Sequence, residues 1–293
     1  MNNVIAQKYR LIRKMGQGQF GSVCEAQSVS GPKKYAVKLE SMEVPHSILK
    51  HEATILFYLN SQKCSRIPFI YHYAPQSNYT CLVMSFYEGG SLTSLKKSMS
   101  LDDKIQWWNS SLNTLAKIHK AGIVHRDIKP DHFMRDGRKQ WNLIDFGLAT
   151  TFYKDEVHID QTAKISIVGT PNYVSHYVHE GWDAVRRDDF LSLIYVFLEL
   201  LFDNYLGQYE SAASPPPGTY PLTHIAHPYN QWLYGQKQFK RLYEWIQEKE
   251  IVREGLLDAL ISILFHAEHL AFQDTPNYKL YVIELEDSHL SSC

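Results

Sequence analysis

The chain has 293 residues, 44% of them hydrophobic, so it is long for a single core and two lobes are the natural expectation. Its 30 basic and 31 acidic residues nearly balance, which argues against a general nucleic-acid or membrane binder. The four cysteines form no disulfide or metal pattern, and neither a signal peptide nor an apolar run of about 18 residues is present, so we expect an intracellular protein of the cytoplasm or nucleus that does not insert into a membrane.

A glycine-rich stretch follows the first predicted strand, Tyr9–Arg13. Residues 16–23 read Gly-Gln-Gly-Gln-Phe-Gly-Ser-Val and so give the spacing Gly-x-Gly-x-x-Gly-x-Val. On a hairpin, glycines allow backbone amides to approach phosphate oxygens because no Cβ stands in the way. A structural hairpin or a dinucleotide-binding turn can have the same spacing. A dinucleotide-binding turn runs into a helix, however, whereas residues 23–27 and the following Ser30-Gly31-Pro32 predict a strand and a turn, which favours the hairpin.

A lysine interrupts the next apolar strand, Tyr35–Leu39. Most lysines on strands face solvent, which is the simplest interpretation of Lys38. Its candidate partner is Glu52, which lies on the apolar stripe of a helix predicted over residues 48–59. A carboxylate among core-facing positions is costly unless it is paired. We therefore expect a buried ion pair between Lys38 and Glu52.

An apolar strand and a long helix come next in the chain. Residues 82–86 read Leu-Val-Met-Ser-Phe and run towards two glycines at 89 and 90. Ser100 followed by Asp103 has the pattern of a helix N-cap with an acidic third position, and apolar residues at helical spacing continue from 105 to 118. The sequence therefore predicts a helix that begins after Ser100 and ends before Gly122.

Two short runs then bring acidic and basic residues close together. Residues 125–132 read His-Arg-Asp-Ile-Lys-Pro-Asp-His, and residues 143–147 read Leu-Ile-Asp-Phe-Gly. Behind the glycine-rich stretch and Lys38, these runs resemble the catalytic loop and the Asp-Phe-Gly motif of protein kinases. Asp-Phe-Gly alone is a common turn tripeptide. About twenty residues after His-Arg-Asp, however, it is specific to protein kinases. The resemblance implies an α+β, two-lobed protein kinase fold, with a small, mainly β N-lobe that carries one helix and a larger helical C-lobe.

The resemblance also implies the catalytic and metal-binding residues. Asp127 would accept the proton of the substrate hydroxyl, and Lys129 would stabilise the transferred phosphoryl group. Asp145 would bind the metal ion that bridges the ATP phosphates. The residues implied to support the catalytic loop are His125, Arg126, Thr170 and Asp189.

The same resemblance implies an ATP site. Met84 would be the gatekeeper, and the backbones of Ser85 and Tyr87 would bond to the adenine edge. The domain would occupy residues 1–293, with an N-lobe of about 1–86, a hinge of about 87–91 and a C-lobe of about 92–293. The full set of implied ATP-binding residues is Gly16, Gly18, Gly21, Val23, Lys38, Glu52, Met84, Ser85, Tyr87 and Met134.

Further segments resemble one particular group of protein kinases. Residues 168–175 read Val-Gly-Thr-Pro-Asn-Tyr-Val-Ser, residues 175–177 read Ser-His-Tyr where most kinases have Ala-Pro-Glu, and residues 186–189 read Arg-Arg-Asp-Asp. These segments, with residues 270–278, are similar to the casein kinase 1 group along essentially the whole chain. This resemblance implies transfer from ATP, with Mg²⁺, to serine or threonine of proteins by a non-specific serine/threonine kinase. It also implies that Asp189 starts a buried helix over 190–202, and we expect a monomer.

Position 132 departs from the kinase pattern. Kinases have Asn there, five residues after the catalytic Asp, to hold one of two magnesium ions, and this chain has His132. An amide oxygen suits Mg²⁺, whereas imidazole suits softer transition ions. Two interpretations follow: a kinase that uses its metals differently, with Mn²⁺ preferred, or a pseudokinase that binds nucleotide or partners as a scaffold. The intact acids and lysines favour the first.

Other features also depart from the casein kinase 1 group. Asn172 stands where many relatives have an arginine that helps bind a phosphate or acidic residue upstream of the target, so a preference for primed sites is not implied. Lys237, Lys240 and Arg241 are candidates for a basic surface, although lysines on a helix face are more often simply solvated. The segment from 203 to 230, with three consecutive prolines, is predicted to be a surface loop.

Overall fold

The computed structural model describes residues 4–17, 21–43, 47–76, 78–202, 205, 223–250 and 255–284. The chain divides into two compact units. Residues Met1–Ser94 and Asp131–Ala149 form the first unit, and residues Leu95–Pro130 and Thr150–Cys293 form the second. The stretch 131–149 therefore belongs with the amino-terminal part of the chain. The lobe boundary expected at 87–91 stays a prediction.

The described residues form both strands and helices. In chain order the strands are β1 (Val4–Ile5), β2 (Tyr9–Gln17), β3 (Gly21–Ser28), β4 (Lys34–Ser41), β5 (Ile70–Pro75), β6 (Tyr79–Ser85), β7 (Ile123–Val124), β8 (Phe133–Arg135), β9 (Trp141–Leu143), β10 (Thr150–Thr151), β11 (Tyr153–Lys154) and β12 (Val157–His158). The helices are α1 (Ile48–Ser61), α2 (Leu92–Leu95), α3 (Leu101–Lys120), α4 (His176–His179), α5 (Arg186–Leu201), α6 (Pro228–Gln236), α7 (Phe239–Gln247) and α8 (Leu256–Glu268). Short 3₁₀ turns cover Lys96–Ser98, Pro130–His132 and Tyr278–Tyr281.

An antiparallel six-stranded sheet makes up most of the first unit, in the order β1-β2-β3-β4-β6-β5. Side chains alternate between the two faces of a strand, so neighbouring residues of β4 lie in different environments. Lys38 and Glu40 share the face opposite to that of Tyr35 and Val37, which belong to the apolar core. The buried residues of this core are Ile5, Tyr9, Ala26, Tyr35, Val37, Cys81 and Val83.

Helix α1 is attached to the sheet at its first turn. Ser47 is the N-cap, and its hydroxyl accepts a hydrogen bond from the Lys50 amide at 3.0 Å. The carboxylate of Glu40 accepts from the Leu49 amide at 3.0 Å and from the Ser47 hydroxyl. A carboxylate at this end of a helix is stabilised by the unpaired amides and the helix dipole. Strand β4 therefore fixes the start of the helix that carries Glu52.

The second unit is helical and is built around α3 and α5. Helix α3 begins with the predicted cap, in which Ser100 and Asp103 exchange hydrogen bonds as a capping box. Helix α5 is buried along almost its entire length. Trp108 of α3 stacks on Phe197 of α5 with ring centroids 4.8 Å apart, and its indole N–H donates to the Tyr281 carbonyl at 2.8 Å. The predicted α+β architecture, with one mainly β part and one helical part, is confirmed.

Helix α5 begins earlier than its sequence indicates. The structure starts it at Arg186, so Asp189 lies in the first turn and does not precede it. The carboxylate of Asp188 accepts from the Val185 amide at 2.8 Å and so closes the amino-terminal end of the helix. The buried helix expected over 190–202 is thus present with a different first residue.

The segment predicted as a surface loop, 203–230, is only partly described. Residues 203–204 and 206–222 lie outside the described residues. Tyr205 is buried, and α6 already begins at Pro228. In the described part of the chain, none of the helices has the length and apolar character needed to cross a membrane.

Candidate active site

The first unit brings one lysine and two carboxylates together. The Lys38 ammonium lies 2.7 and 2.8 Å from the two carboxylate oxygens of Glu52 and 2.9 Å from Oδ1 of Asp145. The Glu52 side chain is 2% exposed, and it also accepts a hydrogen bond from the Phe146 amide at 3.3 Å. Burial disfavours the Lys38 ammonium, but the two carboxylates outweigh burial and raise its pKa. Lys38 is therefore a fixed cation, and the ion pair with Glu52 expected from the helix stripe is present.

A cavity of about 170 Å³ opens at this cluster. It brings together five of the residues predicted from the sequence, and Glu40, Ile48 and Leu49 complete its wall on the side of α1. The predicted residues that line the cavity are Gly21, Val23, Lys38, Glu52 and Asp145. Of the described residues implied to bind ATP, Gly16, Met84, Ser85, Tyr87 and Met134 do not line it, and neither does His132.

The glycines of the predicted phosphate loop differ in their surroundings. A Cβ on Gly21 would lie 2.0 Å from the Leu39 carbonyl oxygen, so the close approach of β3 to β4 requires glycine there. A Cβ on Gly16 would have no described atom within 4 Å. The packing of the described protein atoms therefore does not demand glycine at 16. Gly18 lies outside the described residues.

The residues predicted to face adenine lie at and beyond the end of β6 and in β8. Met84 is buried within the sheet, where it pairs with Ala36 on one side and Ile70 on the other. The Ser85 amide donates to the carbonyl of Phe69, just before β5, at 3.0 Å, so this N–H is already hydrogen-bonded within the protein. Contact of Met84, Ser85, Tyr87 and Met134 with adenine stays a prediction.

His132 is next to Asp145. Its side chain is largely buried, and its carbonyl accepts a hydrogen bond from the Ile144 amide at 2.8 Å, which fixes the backbone beside the acid. The imidazole Nε2 lies 3.4 Å from Oδ2 of Asp145. Asp145 itself has a φ of 66°, a left-handed conformation that Asp tolerates better than most residues, and its side chain is 42% exposed. One carboxylate oxygen thus faces Lys38 and the other faces the imidazole.

The donor atoms at this place fit a divalent cation. Among the residues that the structure describes, no group of three or more His, Cys, Asp or Glu side chains converges on a metal site. Mg²⁺ does not need such a group, because it is usually held by one or two carboxylates while substrate phosphates and water complete its shell. The Asp145 carboxylate provides a hard oxygen of this kind, and the His132 imidazole provides a nitrogen that suits Mn²⁺ and other transition ions better.

The second unit contains a separate cluster around Asp127. The Thr170 hydroxyl donates to Oδ1 of Asp127 at 2.6 Å, and Lys129 lies 2.9 Å from Oδ2 of Asp127 and 3.0 Å from the Thr170 hydroxyl. The three side chains therefore form a closed network around a largely buried carboxylate. A carboxylate in this setting can accept a proton, and the lysine can balance negative charge that develops next to it.

Asp189 holds the backbone of the loop that carries Asp127. Its carboxylate accepts from the amides of His125 at 2.6 Å and Arg126 at 2.8 Å, and it lies 3.0 Å from His119 Nε2. Burial alone would raise the pKa of Asp189, but these hydrogen bonds prevail and lower it. Arg126 has a φ of 66°, which is strained for this residue type, and the neighbouring amide bonds hold it there. The predicted contact of Asp189 with the backbone of this loop is present, and the catalytic role of the loop stays a prediction.

Gly169 contributes to the site in a way that its motif does not reveal. Its φ is 108°, and a Cβ would lie 2.3 Å from the Arg126 carbonyl oxygen. Both observations exclude other residues there without a shift of the backbone. The glycine therefore allows the segment that carries Thr170 to approach the loop that carries Asp127, which is how the Thr170 hydroxyl reaches this carboxylate.

The expectation of a basic surface is wrong for Lys237. Its side chain is fully buried, and its ammonium donates to the carbonyls of Pro171 and Val174, each at 2.7 Å. Lys240, by contrast, has a side chain that is 87% exposed. The signal that could have revealed the difference is the spacing, because Lys237 follows the buried Leu233 by four residues and so continues its buried face.

Asn172 is also engaged within the protein. Its side-chain Oδ1 accepts a hydrogen bond from the Tyr229 hydroxyl at 2.5 Å, and its backbone carbonyl accepts from the Tyr205 hydroxyl at 3.2 Å. Residue 172 is therefore held by residues much later in the chain.

Comparison with known protein families adds one match. The family model described as "Protein kinase domain" matches residues 9–214, which is more than half of the chain and includes both clusters described above.

Proposed function

Because the chain belongs to the protein kinase domain family, we propose that it is an active, casein kinase 1-like enzyme that transfers the γ-phosphate of ATP to serine and threonine hydroxyls of proteins. Family membership supports a kinase that uses ATP, a divalent metal ion and protein substrates. The serine/threonine class, the casein kinase 1 type, a monomeric state and a place in the cytoplasm or nucleus are parts of the proposal.

The observation that carries the proposal is the network of Asp127, Lys129 and Thr170. Asp127 accepts the proton of the substrate hydroxyl, since its carboxylate is held in place by Thr170 at 2.6 Å and by Lys129 at 2.9 Å. Lys129 balances the charge that develops on the transferred group. A lysine two residues after the catalytic acid is typical of serine/threonine kinases, which supports transfer to aliphatic hydroxyls.

The cluster in the first unit supports binding of the phosphates. Lys38 is a permanent cation because Glu52 and Asp145 raise its pKa, and it lies in the wall of the cavity together with Gly21. The cavity, of about 170 Å³, is therefore a place for the phosphate groups of ATP beside a fixed cation. The nucleotide and its metal ion would supply the phosphoryl group and neutralise its charge.

The metal preference is proposed from His132. The distance of 3.4 Å between its Nε2 and Oδ2 of Asp145 is close to the separation of two donor atoms on one cation. That separation is roughly 3.0–3.4 Å for metal–ligand bonds of about 2.1 Å. Both side chains can therefore bind one ion with little rearrangement. A nitrogen donor favours Mn²⁺ over Mg²⁺, so we expect higher activity with Mn²⁺.

Transfer of phosphate from labelled ATP to casein tests the proposal. Wild type, Asp127→Asn and His132→Asn are assayed with Mg²⁺ and with Mn²⁺. We expect transfer by wild type, a loss of roughly 100-fold or more for Asp127→Asn, and a shift of preference towards Mg²⁺ for His132→Asn. Equal activity with both metals and no effect of His132→Asn would refute the metal preference. An inactive wild type that His132→Asn activates would instead identify a scaffold that has given up one metal ion.

A further inference from the structure

The side-chain nitrogen of Lys237 is buried and has no carboxylate partner among the described residues. It follows the last turn of α6, and burial lowers its pKa well below the ordinary value of 10.5. Three neutral groups surround its nitrogen: the carbonyls of Pro171 and Val174, each at 2.7 Å, and Nε2 of His179 at 3.1 Å. The nitrogen also lies 5.2 Å from the centre of the Tyr195 ring. An ammonium can donate to all three groups, and a neutral amine can donate to both carbonyls and accept from the imidazole, so these groups satisfy the nitrogen in either protonation state.

The carbonyls that accept from Lys237 belong to the segment that carries Thr170. Pro171 directly follows Thr170, and Val174 ends the same short turn, in which the amides of Tyr173 and Val174 donate to the Thr170 carbonyl. Buried carbonyls need donors, and Lys237 provides one to each end of the turn. Pro171 is bonded directly to Thr170 through a planar peptide, and its ring fixes its own φ, so a contact that holds Pro171 also restrains Thr170.

Other side chains of the second unit hold the same turn. The Tyr173 hydroxyl donates to Glu199 at 2.6 Å, and the Tyr229 hydroxyl donates to the Asn172 side chain at 2.5 Å. These two contacts bind side chains of the turn. Its backbone is also contacted by the Tyr205 hydroxyl at the Asn172 carbonyl and by His179 Nε2 at the Pro171 carbonyl, each at 3.2 Å, whereas Lys237 binds the backbone at both ends, each at 2.7 Å. Lys237 is therefore the group best placed to determine the path of the main chain from 170 to 174.

We propose that Lys237 is a positioning residue for phosphoryl transfer, which acts through the carbonyls of Pro171 and Val174 to keep the Thr170 hydroxyl on Asp127 and to present segment 170–174 to the protein substrate. The inference rests on the proposed function. Because Lys38 and the other residues of its cluster belong to the first compact unit, removal of Lys237 should leave nucleotide binding unchanged.

The test uses Lys237→Met, which keeps the length of the side chain and removes its donors, with Lys240→Met as a matched control at an exposed lysine nearby. Steady-state kinetics with casein and ATP are measured together with hydrogen–deuterium exchange of residues 170–175. We expect Lys237→Met to raise the KM for casein by about tenfold or more, to leave the KM for ATP unchanged, and to accelerate exchange in the segment. Lys237→Gln retains a donor, so its KM for casein and its exchange rates should lie between those of wild type and Lys237→Met. If Lys237→Met does not fold, Lys237→Gln replaces it in both measurements.

The proposal is overturned if Lys237→Met matches Lys240→Met in the KM for casein and in the exchange rates of residues 170–175. A wild type that transfers no phosphate would refute the proposed function instead. The exchange experiment would still decide whether Lys237 fixes the segment, so the two failures are distinguishable.

Discussion

Two largely buried lysines, one in each compact unit, are held in opposite ways. Lys38 lies between the carboxylates of Glu52 and Asp145, which raise its pKa. Lys237 is surrounded by carbonyls, an imidazole and an aromatic ring, and burial lowers its pKa. The same ammonium group is therefore a permanent charge in one place and an easily deprotonated donor in the other. A charge that must act on a substrate needs counter-charges, whereas one that only holds backbone can be satisfied by neutral acceptors.

Removal of Lys38 should have the most severe consequences. Lys38→Met should lower kcat/KM about 100-fold or more, because the phosphates lose a fixed cation. It should also lower the free energy of unfolding by about 3–5 kcal/mol, because Glu52 is left as an uncompensated buried charge. Kinetics and urea unfolding measure the two effects. The double variant Lys38→Met/Glu52→Gln should regain most of the stability and none of the activity; if it is no more stable than the single variant, the two lysines do not differ in the way described.

A smaller, pH-dependent effect is expected at Lys237. Its folded-state pKa is lowered, so the unfolded chain binds more protons between that value and 10.5, and the free energy of unfolding should rise with pH across this window. Each unit of pKa shift corresponds to about 1.4 kcal/mol. The difference in urea stability between wild type and Lys237→Met, measured from pH 7 to pH 10, isolates this contribution.

The groups that face Lys237 should not obscure this measurement. Burial lowers the pKa of His179 to about 2 and that of His176 to about 4, so both imidazoles stay neutral throughout. Tyr195 titrates above the window because burial raises its pKa. A stability difference that does not change with pH would show that Lys237 is charged in the folded protein, as Lys38 is.

Glu268 is a buried carboxylate whose stability effect should have the opposite pH dependence to that of Lys237. Burial raises the pKa of Glu268 to about 8, although Arg187 opposes the shift. The folded state then binds more protons than the unfolded chain between about 4.5 and 8, so stability should fall as pH rises through this range. Glu268→Gln should remove at least about 1.4 kcal/mol of that dependence, the equivalent of one pKa unit. Thermal unfolding of both proteins at pH 5 and pH 8 checks it, and identical pH profiles would contradict the prediction.

The sequence predicts the parts of the site that depend on local patterns. Lys38 and Glu52 can be paired from a strand, a helix stripe and the cost of a buried carboxylate. The spacing from Leu233 indicates a buried face for Lys237, but neither its backbone partners nor the requirement for Gly169 can be predicted in this way, because both depend on residues far away in the chain, such as Pro171 and the Arg126 carbonyl. The sequence also places the start of α5 a few residues late, because helix boundaries are set by capping contacts and not by periodicity alone.

Asp127 is the residue on which the proposed phosphoryl transfer depends, and Lys129 is the residue that indicates serine and threonine as acceptors. The most direct measurement is mass-spectrometric identification of the residues phosphorylated on casein after incubation with ATP and either wild type or Asp127→Asn. We expect phosphoserine and phosphothreonine with wild type and their loss with Asp127→Asn, because the carboxylate that accepts the hydroxyl proton is gone. Phosphotyrosine alone, no phosphate at all, or equal phosphorylation by both proteins would contradict the assignment.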